Sequence, residues 1–344
     1  MNERNQTAAD QGLPPEALIL NLTFGALMSQ ALYVAAKLGI ADLLAAGPQP
    51  VARLAAATNT NERALHRILR SLASVGVFIE TDPQVFALTP NAEPLRTDAP
   101  NSLRSGVIFM GEEWHWRVWG ETLYSVRTGR PAWGYAHGLE VFEYFAANRE
   151  QAEIFNRAMT DMSVATAPAV VGAYDFSGFT TLADIAGGHG YLLAQILKAT
   201  PNLKGILFDV PSVIEGAGAM LAKEGVEERV TRVAGDFFKA VPAADAYIMK
   251  HIIHDWDDER ATRILQNIRA AMKAGGKVLI VESVVPEGNE PHYSKLVDLE
   301  MLVSPGGVER TAEEYRALLA AAGLQLTRIV PTASAFSIIE AVRA

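Results

Sequence analysis

The stretch Lys250–Glu259, K-H-I-I-H-D-W-D-D-E, places two histidines three residues apart and sets an acid directly after the second. Such a group suits a metal site, a proton-transfer site or the start of a capped helix in which the tryptophan packs. The recognisable zinc-binding helix spaces its histidines at i and i+4 and needs a third ligand, which nothing nearby clearly supplies. We therefore expect no metal, while proton transfer and simple capping both stay open at this point.

A glycine-rich stretch, D-I-A-G-G-H-G at Asp184–Gly190, lies between a run typical of a strand and a run typical of a helix. Its glycines, Gly187, Gly188 and Gly190, allow a sharp turn and the close approach of a ligand to the backbone. A nicotinamide dinucleotide site would show G-x-G-x-x-G, but with Gly188 and Gly190 as the first two glycines the third position is Leu193. The motif therefore indicates either a different cofactor or an ordinary tight turn.

Two acids further along the chain narrow that choice. Asp209 ends the next strand-like run about 20 residues later, where a carboxylate can hold vicinal ribose hydroxyls. Asp236 ends a third run, in G-D-F-F beside Phe237, so an acid and an aromatic ring are available to an adenine. Because the carboxyl ends of parallel strands meet at one edge, these sites predict a nucleoside-bearing cofactor without a pyrophosphate, for which S-adenosylmethionine is the candidate.

The elements that must position these residues alternate between strand-like and helix-like runs from Phe179 onward. That alternation predicts an α/β fold with a mostly parallel sheet covered by helices on both faces. The final two strand-like runs, 324–330 and 335–342, are joined by so short a turn that they require an antiparallel pair, which a purely parallel dinucleotide fold lacks.

The N-terminal third reads as successive helices, at about 26–45, 51–57 and 64–76, followed by a small hairpin. Three helices and a two-stranded wing form a winged-helix pattern, which is typical of DNA binding. The first 100 residues, however, hold nine acidic and seven basic residues, whereas a phosphate-binding surface is basic. The pattern therefore favours a packing or dimerisation domain over nucleic-acid binding.

The chain of 344 residues exceeds the size at which one core usually stops growing. We expect a winged-helix domain at 1–105, a helical linker and substrate region at 106–173, and a cofactor-binding domain at 174–344. Aromatic and methionine side chains gather in the helical region, and most of them suit a core. Four are candidates to line an apolar substrate pocket: Trp116, Phe155, Met159 and Met162.

Composition excludes some classes of protein. The net charge of −9 argues against general binding of polyanions. No membrane span is expected, because the longest apolar run is interrupted by Lys37 and Asp42. The chain has no cysteine, which excludes disulfides and thiolate metal sites and makes a reducing cytoplasm the plain expectation.

Taken together, the motifs resemble those of the small-molecule O-methyltransferases typified by the plant caffeic acid and animal acetylserotonin enzymes, with many bacterial relatives that tailor natural products. Over most of residues 180–315 the resemblance is carried by six motifs: LADIAGGHG at 182–190, FDVP at 208–211, GDFF at 235–238, MKHIIHDWDDE at 249–259, VESVVP at 281–286 and PGGVERT at 305–311. It implies a Rossmann-like methyltransferase sheet with an α-helical winged-helix dimerisation domain. It also implies a homodimer that methylates a hydroxylated aromatic or polyketide-like small molecule with S-adenosylmethionine.

The resemblance assigns roles to individual residues. His254 is the general base, Glu282 and Glu309 flank its imidazole, and Asp255 lies beside it. The implied cofactor site comprises Asp184, Gly187, Gly188, Gly190, Asp209, Asp236, Phe237, Lys250 and Trp256. The family usually has three consecutive glycines where this chain has Ala186-Gly187-Gly188, and a small residue where it has His189.

The implied chemistry suits these residue types. Methyl transfer from a sulfonium is an in-line displacement, so the site must align donor and acceptor and remove the hydroxyl proton. A phenol has a pKa near ~10, so a histidine steadied by a carboxylate on its other nitrogen can take that proton. Two alternatives stay open: an N-methyltransferase or chemically diverged enzyme of the same fold, and a ligand-sensing winged-helix DNA-binding regulator. His251, which has no matched role, is expected to pack.

Overall fold

The computed structural model describes residues 14–344. The chain forms two compact units: one comprises the residues up to Arg117 together with Arg149–Ala165, and the other comprises Val118–Asn148 together with Thr166–Ala344. The helical region expected at 106–173 is thus divided between the two units. The boundaries proposed from sequence at 105 and 173 stay predictions.

The N-terminal part of the first unit has the expected helices and wing. Its elements are α1 (Pro15–Lys37), α2 (Ile40–Leu44), β1 (Gln49–Pro50), α3 (Val51–Thr58), α4 (Glu62–Ser74), β2 (Phe78–Asp82), β3 (Val85–Leu88) and α5 (Arg104–Gly111). β2 and β3 form the predicted antiparallel hairpin. The two-residue β1, which the sequence pattern did not reveal, pairs with the other edge of β3.

The helix predicted at about 26–45 has different limits in the structure, so that prediction is wrong in detail. α1 begins at Pro15 and ends at Lys37, and α2 is a separate short helix. The break falls at Gly39, whose φ of +67° lies in the left-handed region. Glycine takes that conformation without a Cβ clash, which is why it commonly ends helices.

α1 has two unlike halves. Its C-terminal half buries Ala31, Ala35 and Ala36 in the core of the first unit. Its N-terminal half exposes large apolar side chains: Ile19, Leu20, Leu22, Phe24 and Leu27. By length and composition alone, α1 is the one helix within residues 14–344 that could cross a membrane, a test that core helices of globular proteins also pass. The absence of a membrane span therefore stays a prediction.

Five helices follow: α6 (Glu113–Gly120), α7 (Thr122–Thr128), α8 (Ala132–His137), α9 (Val141–Ala147) and α10 (Arg149–Ala173). The three residues 129–131 separate α7 from α8. Gly129, in the left-handed conformation, ends α7, and Pro131 precedes α8.

The second unit contains a seven-stranded sheet. Its strands and helices in chain order are β4 (Thr181–Ile185), α11 (Tyr191–Ala199), β5 (Lys204–Asp209), α12 (Pro211–Lys223), β6 (Val230–Ala234), β7 (Ala246–Lys250), α13 (Asp258–Ala271), β8 (Lys277–Glu282), α14 (Tyr293–Val303), α15 (Ala312–Ala321), β9 (Leu324–Pro331) and β10 (Ser337–Arg343). The strand order is β6-β5-β4-β7-β8-β10-β9, parallel from β6 to β8 and antiparallel on both sides of β10. The predicted sheet with its antiparallel C-terminal pair is confirmed.

Side chains of the central strands alternate between two buried layers, as the strand period of two requires. Leu182 of β4 joins the apolar cluster that includes α11 and α12, and the next residue, Ala183, joins the cluster that includes α13 and α15. Both faces of the sheet are therefore covered, which leaves the strand ends as the place for polar chemistry.

Candidate active site

The strand order reverses at β4, because the chain adds β5 and β6 on one side of it and β7 and β8 on the other. At such a switch point the loops leaving adjacent strands diverge and open a crevice for a ligand. The loops that follow β4, β5, β6 and β7 carry most of the predicted site residues of the second unit. The topology therefore gathers those residues at one edge of the sheet.

The turn after β4 is built from residues in the left-handed conformation. Ala186, Gly188 and Gly190 have φ values of +54°, +60° and +83°. A Cβ on Gly187 would lie 2.5 Å from Cγ of Asp184, whereas a Cβ on Gly188 would meet no atom within 4 Å. Packing therefore requires glycine at 187, while Gly188 faces open space and lets a ligand approach the backbone closely.

The chain accommodates both departures from the family's glycine turn. Ala186 carries its methyl group in the left-handed region, a conformation that costs an L-residue roughly 1–2 kcal/mol. Its amide donates a hydrogen bond of 2.7 Å to the carbonyl of Phe208. His189 lies beside α12 at Gly216, where a Cβ would come within 3.3 Å of the imidazole. A glycine on the neighbouring helix thus leaves room for the larger side chain.

Asp209 and Asp236 are oriented by backbone amides. Asp209 accepts hydrogen bonds from the amides of Gly188 at 2.9 Å and Val210 at 2.7 Å. Asp236 lies just beyond β6 and accepts from the amide of Phe238 at 2.9 Å. Since each carboxylate oxygen can accept two hydrogen bonds, both side chains keep capacity for hydroxyl or amino groups of a ligand.

Asp184, which is buried, and Lys250, which is half-buried, are groups of opposite charge on adjacent strands. Burial raises the pKa of Asp184 to about 7, against the opposing effect of Lys250. Burial also lowers the pKa of Lys250 to about 8, against the effects of Asp184, Asp255 and Glu282. One carboxylate oxygen of Asp184 is buried without a hydrogen-bond partner. Such an oxygen fits a donor supplied by a bound ligand.

Phe237 and Trp256 belong to one aromatic cluster. Their ring centroids are 5.9 Å apart at 78°, and the Trp256 ring also lies 4.9 Å from Phe238 and 5.4 Å from Phe142. An open surface cavity of about 710 Å³ borders the cluster at Phe238 and Trp256. The cluster supplies flat apolar surface next to Asp236, of the kind that suits a nucleobase.

His254 lies in the 3₁₀ turn Ile253–Asp255, four residues beyond the end of β7. Its Nδ1 is 2.5 Å from Oε1 of Glu309, and its Nε2 is 3.5 Å from Oδ1 of Asp255. Both His254 and Glu309 are buried. A carboxylate bonded to Nδ1 fixes the ring proton there and leaves Nε2 as the proton acceptor.

Three carboxylates act on His254. Burial alone lowers the pKa of His254, but Asp255, Glu309 and Glu282 outweigh it and raise that pKa to about 9. Burial raises the pKa of Asp255 to about 7 and also raises the pKa of Glu309. A raised carboxyl pKa opposes the ion pair with His254. The 2.5 Å contact with Glu309 indicates an ionised carboxylate that accepts from the Nδ1 proton, because charge-assisted hydrogen bonds are the short ones.

Glu282 has a different geometry from the one that the resemblance implied. Its Oε1 accepts hydrogen bonds from the amides of Ile252 and His254, each at 3.1 Å, and its Oε2 accepts from the hydroxyl of Tyr315. Among the described residues, Glu309 is the one whose carboxylate bonds to Nδ1 of the imidazole. At the end of β8, Glu282 therefore holds the backbone of the turn and influences the ring through its charge.

The sequence analysis missed Asp298, Arg310 and Tyr315. Asp298 on α14 accepts a hydrogen bond of 2.9 Å from the amide of Glu309. Arg310 follows Glu309 in the PGGVERT motif, and Tyr315 lies at a buried position of α15. A buried hydroxyl or guanidinium demands a partner, which is a usable signal, but the sequence does not say which partner.

The ring of His251 packs against Phe336, and its role as a packing residue stays a prediction. Its ring lies 4.3 Å from Phe336 and 5.2 Å from His254 between centroids. Burial, followed by Lys250 and His254, holds its pKa well below the ordinary value. The backbone at His251 is left-handed, with φ of +56°, which marks the sharp bend between β7 and the 3₁₀ turn.

The four candidate pocket residues, Trp116, Phe155, Met159 and Met162, lie in the first unit and are half-buried. The ring of Phe155 contacts Phe109, with centroids 5.6 Å apart. Their role in a substrate pocket stays a prediction. Within residues 14–344, no group of three or more histidine or acidic side chains lies where it could hold a metal ion.

Two family models match this chain. An O-methyltransferase domain matches residues 119–325, and an O-methyltransferase dimerisation domain matches residues 20–98. The chain therefore belongs to the O-methyltransferase family that its motifs resemble. It is an S-adenosylmethionine-dependent methyltransferase of the type found in natural-product biosynthesis.

Similar proteins span nearly the whole chain. A phenazine O-methyltransferase of Lysobacter antibioticus is 48% identical over 342 residues, covering 99% of each protein. An 8-amino-8-demethylriboflavin N,N-dimethyltransferase of Streptomyces davaonensis is 37% identical over 314 residues, covering 90% of each. A crystal structure of an O-methyltransferase from neocarzinostatin biosynthesis, with S-adenosylmethionine and 2-hydroxy-5-methyl naphthoic acid, aligns with a TM-score of 0.80 and 32% identity over 92% of this chain and 96% of that one.

The residues at the sheet edge fit S-adenosylmethionine. The space at Gly188 admits a ligand to the backbone, and the partnerless oxygen of Asp184 can accept from an ammonium group. Asp209 and Asp236 keep acceptor capacity for hydroxyl and amino groups.

Proposed function

We propose that this enzyme methylates a hydroxyl group of an aromatic or polyketide-like small molecule, with His254 as the general base. The observation that supports this most is the 2.5 Å contact between Nδ1 of His254 and Glu309, which leaves Nε2 as the proton acceptor. An aromatic acceptor is favoured by the phenazine named for one relative and by the naphthoic acid bound to another.

The proposed chemistry divides the work between cofactor and protein. S-adenosylmethionine, when bound, supplies an electrophilic methyl group on a sulfonium. The protein holds the acceptor oxygen in line with that methyl group, and His254 removes the proton from that oxygen. A phenol pKa near ~10 and the His254 pKa of about 9 are close enough for easy proton transfer. Glu309 and Asp255 then stabilise the imidazolium, and Glu282 fixes the turn beneath it.

We assign the cofactor contacts by position at the sheet edge. Asp209 accepts hydrogen bonds from the ribose hydroxyls, and Asp236 with Phe237 contacts the adenine. Trp256 closes the aromatic side of the same region. The remaining contacts to the amino-acid portion come from the turn and the two strand ends: Asp184, Gly187, Gly188, Gly190 and Lys250.

We also propose that the chain is a homodimer formed through its N-terminal domain and located in the cytoplasm. Support for the dimer comes from the matched dimerisation domain and from the exposed apolar half of α1, where Leu22 is 69% exposed and Leu27 64%. Sedimentation at micromolar concentration tests this: we expect a dimer for the wild type and a monomer for Leu22→Glu.

An electrophoretic shift at low salt tests nucleic-acid binding, and we expect none.

The activity test uses labelled cofactor with phenols, catechols, hydroxyquinones and hydroxyindoles. For the best acceptor we expect His254→Ala to lower kcat about 10²–10⁴-fold while cofactor affinity stays unchanged. His292→Asn is the matched control, since asparagine keeps the helix cap that His292 provides at α14. Full methylation by His254→Ala at neutral pH would show that the general-base assignment is wrong. An acceptor that is already ionised at that pH must be excluded first.

N-methylation is the second candidate, supported by the N,N-dimethyltransferase among the relatives. A neutral amine already presents its lone pair, so it needs no base before attack. Each phenol in the panel is therefore paired with the corresponding aniline, and the site of the new methyl group is determined by mass spectrometry and NMR. Preference for the anilines, with His254→Ala still active, would replace the O-methylation proposal.

A further inference from the structure

Residues 305–311 pack directly against the turn that carries the base. A Cβ on Gly307 would lie 1.9 Å from the carbonyl oxygen of His254, so only glycine fits there. The amide of Val308 donates a 2.9 Å hydrogen bond to that same carbonyl. The segment that presents Glu309 to the imidazole is therefore also in backbone contact with the residue that bears the imidazole.

Arg310 adds a second set of contacts to this turn. Its guanidinium donates to the carbonyl of Ile253 at 3.2 Å and to the carbonyl of Trp256 at 2.9 Å. These two residues bracket His254 and Asp255 in the sequence. A further bond, to the carbonyl of Val308 at 3.3 Å, ties the same group to its own segment. The planar fork of arginine suits this role because it offers several donors in fixed directions.

The acidic partner of Arg310 does not explain its burial. The Arg310 side chain is 1% exposed, whereas that of Asp258, which accepts from Nη2 at 2.8 Å and from Nε at 3.1 Å, is 80% exposed. An ion pair open to water on one side contributes little. A buried guanidinium satisfied mainly by backbone carbonyls instead fixes the path of those carbonyls.

We propose that Arg310 is a positioning residue for proton transfer: it locks the backbone on both sides of His254 and Asp255 to the segment that presents Glu309, and so holds the imidazole and that carboxylate in register. This inference rests on the proposed role of His254. Adjacent residues of one extended segment thus divide the work, with Glu309 bonded to the ring and Arg310 bonded to the backbone that carries the ring.

The test compares Arg310→Lys with Asp258→Asn. Lysine keeps the charge and most of the volume but cannot reach both carbonyls in one plane. We expect kcat to fall about 10–100-fold, as for an approximately 1 Å misplacement of a catalytic group, with cofactor affinity within twofold of wild type. Asp258→Asn keeps every carbonyl contact, and we expect wild-type kcat.

The pH profile separates positioning from stability. The titratable groups around His254 are Asp255 on its own turn, Glu309 beside Arg310, Glu282 at the end of β8, and His251, whose ring centroid lies 5.2 Å away. A loosened contact with Glu309 weakens the stabilisation of the imidazolium, so the midpoint of kcat/KM in Arg310→Lys moves to lower pH.

Two results would overturn the proposal and assign Arg310 to folding stability alone. One is an Arg310→Lys protein that fails to fold. The other is a folded variant with a lower melting temperature but an unchanged kcat and pH midpoint. The proposed function is tested separately, because a fully active His254→Ala enzyme would remove the base assignment whatever Arg310 does.

Discussion

The cofactor edge, which carries Asp209 and Asp236, and the base turn, which carries His254, both depend on oriented carboxylates. They are assembled in different ways. Asp236 accepts from an amide two residues away, and Asp209 from the next residue and from one 21 positions back. His254, in contrast, depends on Glu309, 55 residues away, and on Glu282, 28 residues away. Local loop geometry orients Asp236 and one oxygen of Asp209, whereas the packing of distant segments orients the groups around His254.

The two regions also differ in the exposure of their carboxylates and in how many hydrogen bonds those carboxylates accept from the protein. The Asp236 side chain is 42% exposed and has unused acceptor capacity, as a ligand site requires. The Glu309 side chain is 2% exposed, with its Oε2 buried and without a hydrogen-bond partner, and both oxygens of Glu282 are engaged by protein donors. The base turn should therefore tolerate substitution less well than the cofactor edge, and substitution there should affect stability together with activity.

The largest expected contrast is between Gly307→Ala and Gly188→Ala. The new methyl group at 307 overlaps the His254 carbonyl, so we expect a loss of about 3 kcal/mol in the free energy of unfolding and a fall in kcat of about 10²-fold. At 188 the space is open and the cost is the left-handed φ alone, roughly 1–2 kcal/mol, with weaker cofactor binding. Urea unfolding and initial rates measure both. A larger loss of stability at 188 would reverse the comparison.

Tyr315→Phe and Asp236→Asn test the contrast at two single hydrogen-bonding groups. Tyr315→Phe leaves Oε2 of Glu282 buried without its donor, so we expect a loss of about 1–3 kcal/mol in the free energy of unfolding. Asp236→Asn keeps an acceptor for the Phe238 amide, so we expect little change in stability but a higher Kd for the cofactor. Chemical denaturation and calorimetry report the two quantities. Equal losses of stability would contradict the proposed difference between the regions.

The pH dependence of kcat/KM should change with substitutions in the base turn and not with substitutions at the cofactor edge. The pKa of His254 is raised to about 9 and the neutral ring is the base, so the rate should rise with pH through that value. Asp255 is the strongest group raising that pKa, so Asp255→Asn should move the profile to lower pH. Asp236→Asn should leave its midpoint in place. An acceptor with a pKa well above 10 is used, since its own ionisation must not contribute. A flat wild-type profile from pH 7 to 9.5 would refute the base assignment.

The smallest expected effect is that of Ala186→Gly at the cofactor edge. Glycine removes a left-handed strain of roughly 1–2 kcal/mol but adds roughly 0.5–1 kcal/mol of backbone entropy on unfolding. We expect a net stabilisation of about 1 kcal/mol or less, seen as a slightly higher melting temperature without cofactor. Destabilisation would mean that the methyl group of Ala186 makes a favourable contact.

Much of the fold was predictable because its signals are local. The alternation of strand-like and helix-like runs after Phe179, and the short turn before the final strand, defined a parallel sheet with an antiparallel pair. The N-terminal helix was less predictable, since its exposed first half continues back to Pro15 and it breaks at Gly39, which takes the left-handed conformation. The two-residue β1 is too short to show any periodicity.

The candidate site was also predictable only in part from the sequence. Asp209 and Lys250 could be placed because each ends a strand, and parallel strands bring their carboxyl ends to one edge. The orientation of Glu282 could not be predicted, because one carboxylate at a strand end can face a ring or a backbone amide with equal local plausibility. Tyr315 and Arg310 were missed because their partners lie 33 and 57 residues away.

The stretch from Lys250 to Glu259 shows what the sequence determines and what depends on the tertiary structure. The sequence by itself determined that a histidine followed by an acid stands beyond a strand, without the spacing of a zinc helix, and in the motif order of a methyltransferase. Only the tertiary structure decided that Glu309 bonds the ring, that Glu282 bonds the backbone beneath it, and that Arg310 and Gly307 hold the turn in place. The physical reason is that residue type and strand order are properties of the chain. Which buried donor meets which acceptor depends on how distant segments pack.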